Sequence, residues 1–148
     1  MYTPEKNKEI VRKLFEEVWN QHRPDRLGEF LLPTVVLTDP LVPLPTKGLD
    51  AEIEYMKLWA KTIPDLHFTI EEQIAEDDRV VTRLLAEGTH EGVLLGVPPT
   101  HQKAKVPCVV FHRFKGEKIA EAVVMWDAYA FLRATGALEA VKPALATA

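Results

Sequence analysis

Residues 67–90 read HFTIEEQIA-EDD-RVVTRLLAEGTH. From His67 to Ala75, and again from Arg79 to His90, the pattern is extended, and Glu76-Asp77-Asp78 between them has the composition of a tight turn. Two such runs around a short polar break predict a β-hairpin. The same arrangement recurs downstream, where Lys103 to Phe114 is a strand, Lys115-Gly116-Glu117 a turn and Lys118 to Asp127 a last strand. A loop from Gly92 to Gln102 separates the two hairpins. The second half of the chain is therefore expected to be an antiparallel meander.

Working outward, the periodicity before residue 66 is helical. Thr3 is a natural N-cap with Pro4 at the first helical position. Ile10, Val11, Leu14, Phe15, Val18 and Trp19 recur at helical spacing and define one buried stripe. Arg23-Pro24 breaks it, and Asp25 to Leu32 suggests a second short helix stopped by Pro33. Thr34 to Asp39 is a short β-rich run, and Pro40, Pro43 and Pro45 make the next stretch a loop. Leu49-Asp50-Ala51-Glu52 opens a third helix, with Ile53, Met56, Ala60 and Ile63 on one side and Tyr55 and Trp59 adjacent; Pro64-Asp65 ends it. Tyr129 to Gly136 is a short C-terminal helix. Helices first, then a meander, with no βαβ alternation, make the class α+β.

Composition narrows the function. A chain of 148 residues with 47% apolar and 27% charged residues suits one soluble domain spanning 1–148. Its net charge of −4, with scattered basic residues, argues against a nucleic-acid partner. No run approaches eighteen apolar residues and no apolar leader follows Met1, so neither a membrane span nor a secretory signal is expected. The Ala-rich tail, 144–148, is expected to fray. Cys108 is the one cysteine, which favours a reducing, cytoplasmic setting, and its apolar flanks mark it as buried rather than nucleophilic.

One residue interrupts the apolar pattern of the last strand. Ile119 to Trp126 is followed by Asp127, just before the final helix. Two roles fit. A carboxylate delivered into an apolar cavity wall is costly to ionise and becomes a candidate acid or base. A strand-end Asp equally well caps the following helix.

Three stretches carry a family likeness. They are Glu76-Asp77-Asp78-Arg79-Val80-Val81-Thr82-Arg83; Gly88-Thr89-His90-Glu91-Gly92 with Leu95-Gly96-Val97-Pro98-Pro99-Thr100; and Gly116 through Trp126-Asp127 to Gly136. The chain resembles the SnoaL-like polyketide cyclases of the nuclear-transport-factor-2-like group, the middle stretch being the most specific. That resemblance implies a cone-shaped α+β barrel: N-terminal helices (about 4–63) packed on a strongly curved antiparallel sheet (about 66–127) enclosing a hydrophobic pocket, then a short C-terminal helix (about 128–136). It implies a homodimer that needs neither metal nor organic cofactor. It further implies a polyketide or ester cyclase acting on a hydrophobic carbonyl compound, with Asp127 as acid and base in an intramolecular aldol closure.

The residues add detail. His112, on the strand beside Asp127, is a candidate to orient it or to bind a substrate carbonyl, or is a satisfied core histidine. His90 either closes the pocket mouth or binds the following loop. Arg83 among valines and leucines needs a carboxylate partner, with Glu87 and Asp127 in reach. Asp39 reaches the pocket or forms the turn before Pro40. Trp59, Trp126, Phe111 and Tyr55 are candidate pocket lining. Cys108 and His112 are too far apart along a strand to chelate together, so no metal is expected. Two places depart from the family: Ala122 and Val123 stand where relatives carry His-Trp, and His101 replaces the glycine after Pro-Pro-Thr. An epoxide hydrolase would place its second carboxylate at Leu85. A ketosteroid-isomerase-like transfer would need a tyrosine, and none lies in a strand. A non-catalytic binding module of the same fold is the alternative in another class.

Overall fold

A computed structural model describes residues 3–139; the tail expected to fray, 144–148, lies outside them. Helix α1 runs Pro4–Lys13 and starts as the sequence implies, with Thr3 Oγ1 accepting from the Lys6 amide at 3.2 Å. It continues into a wider π-helical turn, Leu14–Trp19. The extra residue in that turn keeps Leu14, Phe15 and Val18 all buried. Asn20 then ties the helix end to the sheet through both polar atoms of its side chain, bonding Phe68 N and Phe68 O at 2.8 and 2.9 Å.

The second helix is shorter than its pattern suggests, a 3₁₀ segment at Pro24–Glu29. Strand β1 begins at Leu31 and runs to Thr38, passing through Pro33. Proline cannot donate to a ladder, and the pairing of β1 is irregular between Leu31 and Val36, where Pro33 sits. A two-residue strand β2 (Thr46–Lys47) and helix α2 (Leu49–Thr62) follow. The meander is β3 (His67–Glu76), β4 (Arg79–Thr89), β5 (Lys103–Lys115) and β6 (Lys118–Trp126), with helix α3 at Ala128–Thr135.

The six strands form one curled, unclosed sheet in the order β2-β1-β6-β5-β4-β3. All neighbours are antiparallel except β1 and β6, which run parallel. That parallel pair has no βαβ signature because the crossover between its strands is the rest of the sheet plus α2. The core lies between the concave face and the helices. Even-numbered residues of β5 from Ala104 to Phe114 turn inward and are all buried, together with Val80, Thr82 and Leu84 of β4.

The Gly88-Thr89-His90-Glu91-Gly92 stretch docks the C-terminal end of α2. The amides of Glu91 and Gly92 both donate to the Thr62 carbonyl at 2.9 and 3.1 Å. Thr89 donates its amide and its hydroxyl to the Asp65 carboxylate at 2.6 and 2.7 Å. A Cβ on Gly92 would lie 2.8 Å from Thr62 Cα, and one on Gly88 would lie 2.3 Å from Ile63 Cγ2. Gly92 therefore allows close approach of the α2 backbone, and Gly88 leaves room for the Ile63 side chain.

Candidate active site

The cavity lies under α2, between the first helix and the concave sheet. It offers about 110 Å³ to the centre of a water-sized sphere, some ten times the ~10–15 Å³ that one water needs on that measure. Most of its wall is apolar or aromatic. Phe15 and Trp19 come from the first helix, Tyr55 and Trp59 from α2, Val106 and Val110 from β5, and Val124 and Trp126 from β6.

Besides half-buried Glu87, two fully buried carboxyls and a phenol project into this wall. Asp39, directly after β1, is 3% exposed, and Glu52, in the first turns of α2, is 5% exposed. Tyr55, three residues beyond Glu52, donates its hydroxyl to Asp39 Oδ2, while Asp39 Oδ1 accepts from the Leu41 amide at 2.8 Å. Asp39 therefore forms the turn and reaches the cavity at once. Glu52 Oε1 is buried without any partner. Desolvation, reinforced by the negative charge of Asp39, pushes the Glu52 carboxyl up from 4.5 to about 7. Burial, again with Asp39 adding to it, holds the Tyr55 hydroxyl well above its ordinary range.

His112 and Cys108 project from β5 into the same wall. Burial alone lowers the His112 imidazole to about 4, so it is neutral at pH 7, and its Nδ1 has no partner. Burial raises the Cys108 thiol to about 12 and leaves it unreactive. The indole Nε1 of Trp126 is a further buried donor without an acceptor.

The expected site residues divide into two groups. Asp39, Tyr55, Trp59, His112 and Trp126 line the cavity. Asp127, Arg83, His90 and Phe111 do not. Asp127 was expected in the wall, but Ala122, Val124 and Trp126 of β6 face the cavity, and strict alternation turns residue 127 outward. Asp127 is exposed and caps α3, its Oδ1 accepting from the Ala130 amide at 2.9 Å. Alternation also puts Arg83 outside, between inward Thr82 and Leu84. Its partners are Glu71 at 3.3 Å and Glu72 at 3.2 Å on β3, not Glu87 or Asp127. Phe111 is 46% exposed on the convex face for the same reason. His90 is fully buried and staples the loop: its Nδ1 accepts from the Thr100 amide at 3.3 Å, and its ring packs edge-on against Phe131 at 5.0 Å.

Sequence reasoning passed over Glu52. Its signal was present: Glu52 sits one turn before Met56 on the buried stripe of α2, where an apolar residue belongs. Among the described residues no three His, Cys, Asp or Glu side chains gather as a metal site, and no helix is long and apolar enough to cross a membrane.

Cavity, curled sheet and capping helices together define a member of the nuclear-transport-factor-2-like class. The SnoaL-like polyketide cyclase family model matches residues 9–135, and the chain belongs to that family. Among solved structures it is similar to a protein of Jannaschia sp. CCS1 assigned to the SnoaL-like polyketide cyclases (25% identity, TM-score 0.81, covering 91% of this chain and 96% of that one). It is also similar in fold to TsrD of Streptomyces laurentii (21%, TM-score 0.80, 93% and 99%) and to a SnoaL-like polyketide cyclase of Agrobacterium tumefaciens C58 (23%, TM-score 0.75, 90% and 98%). No curated protein matches the sequence significantly.

Proposed function

We propose that the protein is a cofactor-free acid/base enzyme acting on a hydrophobic carbonyl compound, in the manner of an aldol cyclase, with Glu52 as the proton carrier. The observation that supports this is the pair of buried carboxyls, Asp39 and Glu52, in a mostly apolar cavity. A carboxyl buried without a hydrogen-bond donor, beside another negative charge, keeps its proton to higher pH. Asp39, anchored by Tyr55 and the Leu41 amide, is the fixed negative neighbour. Glu52, unanchored and poised near neutrality, takes a proton from a carbon flanked by carbonyls. The resulting enolate carbon attacks a second carbonyl of the same molecule, and Glu52 returns the proton to the new alkoxide. No net proton is gained or lost. Pocket shape supplies the rest of the rate by holding a flexible chain folded.

The Tyr55–Asp39 hydrogen bond favours a second outcome of the same proton transfer, an isomerisation in which the proton returns to a different carbon. A pocket that only binds is the rival outside catalysis.

Hydrogen–deuterium exchange at the central carbon of a hydrophobic β-diketone tests the reading. Glu52→Gln is expected to slow enzyme-dependent exchange by about 10²-fold or more, and Asp127→Asn is expected to leave it unchanged. Exchange that survives Glu52→Gln but is lost in Asp127→Asn would return the role to the strand-end carboxylate. No enzyme-dependent exchange in the wild type would favour the binding module.

The reading includes a homodimer formed through the convex face of the sheet. Ile74, Val81, Phe111 and Val123 are register neighbours across β3, β4, β5 and β6 and make one apolar row there. Arg83 with Glu71 and Glu72, and Arg113 with Glu121, put both signs of charge beside that row, which suits a second copy turned by a two-fold axis. A cytoplasmic setting, which the lone buried Cys108 suits, belongs to the same proposal.

A further inference from the structure

The charge inside the cavity has only one sign. Asp39, Glu52 and half-buried Glu87 line it, and no lysine or arginine does so among the described residues. Cations on the surrounding elements are engaged or exposed elsewhere. Arg26 bonds Glu29 at 2.7 Å, the Lys118 ammonium donates to the Gly28 carbonyl at 2.7 Å, and Lys47 is exposed. A buried carboxyl without a counter-charge is costly, and here only a proton offsets it in the free protein.

The aromatic residues are arranged to match. Trp19, Tyr55, Trp59, Trp126 and Phe131 form one run of edge-to-face contacts at 6.2, 6.3, 6.1 and 6.4 Å. All five rings line the same cavity as the carboxyls. An aromatic face attracts a desolvated cation, and carboxylates attract it more strongly still. Anions are repelled by both.

We infer that the cavity takes a ligand carrying a cationic amine on an apolar body, with the ammonium beside Asp39 and Glu52 and the body against Tyr55, Trp59 and Trp126. This names a substrate class, amino-carbonyl compounds, for the site proposed above and rests on the reading of that cavity as the ligand site. The ammonium replaces the proton as counter-charge, so binding converts Glu52 to the carboxylate, its basic form. The other titratable groups that line the cavity with Glu52 are Asp39, Tyr55, Glu87, Cys108 and His112. His112 near 4 and Cys108 near 12 do not change charge between pH 5.5 and 8.5.

Binding of three probes of matched shape tests the inference: 2-phenylethylamine, 2-phenylethanol and 3-phenylpropanoate, measured by calorimetry on the intact protein. An alkylamine stays protonated across this pH range. At pH 8.5 the amine is expected to bind about tenfold more tightly than the alcohol, and the carboxylate more weakly than either. The amine-to-alcohol ratio is expected to fall at least about threefold at pH 5.5, as Glu52 takes up its proton. Glu52→Gln is expected to reduce the ratio similarly at pH 8.5; should that variant not fold, the wild-type pH series decides. An amine no tighter than the alcohol, a carboxylate as tight as the alcohol, or no saturable binding by any of the three overturns it. Diketone exchange that depends on Glu52 without amine preference would leave the catalytic reading standing and remove this one. Amine preference without exchange would do the reverse.

Discussion

Glu52 occupies a position on α2 that packing would ordinarily give to a leucine, and its cost to the fold is measurable. The folded protein keeps the Glu52 proton to about pH 7, whereas an unfolded glutamate releases it near 4.5. Stability from this group is therefore greatest below 4.5 and is lost as pH rises through 7. His112 works in the opposite sense: folded, it resists protonation down to about 4, against 6.5 unfolded. Its contribution is present above 6.5 and lost as pH falls. Between 4.5 and 6.5 the two slopes oppose. Glu52→Gln is thus expected to stabilise the protein at pH 8 by on the order of 3 kcal/mol. It should also expose the His112 slope, with stability rising from pH 4.5 to 6.5. Urea titrations of both proteins across that range check it; a variant less stable at pH 8, or as flat with pH as the wild type, would refute the assignment. Asp127 makes the contrasting case. Its Ala variant should lose about 1 kcal/mol through the α3 cap with the cavity chemistry intact, read from the same titrations and from diketone exchange. Both carboxylates were visible in the sequence, but only one looked unusual. Asp127 stood out at the end of an apolar strand, whereas Glu52 passed for the acidic first turn of a helix. Deciding between them needs the inward phase of β6, which one residue of register reverses.

At the scale of elements, the local signals were strong and largely sufficient. Thr3-Pro4 starts α1, the acidic turn 76–78 joins β3 to β4, and Gly116, at φ +64°, turns β5 into β6. The π-helical turn and the early start of β1 through Pro33 left no such mark, because both follow from what those residues pack against. The Gly-Thr-His-Glu-Gly stretch acts at this scale, holding the end of the helix that carries Glu52, Tyr55 and Trp59. Gly92→Ala should cost about 1–3 kcal/mol, since the new methyl meets backbone rather than a movable side chain. It should also weaken ligand binding by displacing α2. Denaturation together with probe affinity tests this, and an alanine variant with wild-type stability and affinity would show that α2 is held some other way.

For the whole molecule, the α+β class, the family and part of the cavity lining were legible from element order and motifs, while the parallel β1–β6 pair and the pairing of groups inside the cavity were not. Both join residues far apart in sequence: Val36 pairs with Glu121, and Asp39 bonds Tyr55 from another element. Pattern within a window carries no information on such pairs. The convex apolar row is also a property of the assembled sheet. If the proposed convex-face dimer forms, wild type sediments as a dimer at micromolar concentration and Phe111→Lys as a monomer; equal sedimentation coefficients would remove that dimer.

The central claim is that a carboxyl pair inside the cavity, led by Glu52, is tuned for proton transfer near neutrality. Carbon-13 NMR titration of the side-chain carboxyls tests it without a substrate. The account predicts a Glu52 midpoint near 7 that moves down in Asp39→Asn, because the neighbouring negative charge is gone. A Glu52 midpoint in the ordinary carboxylate range, unmoved by Asp39→Asn, would contradict it.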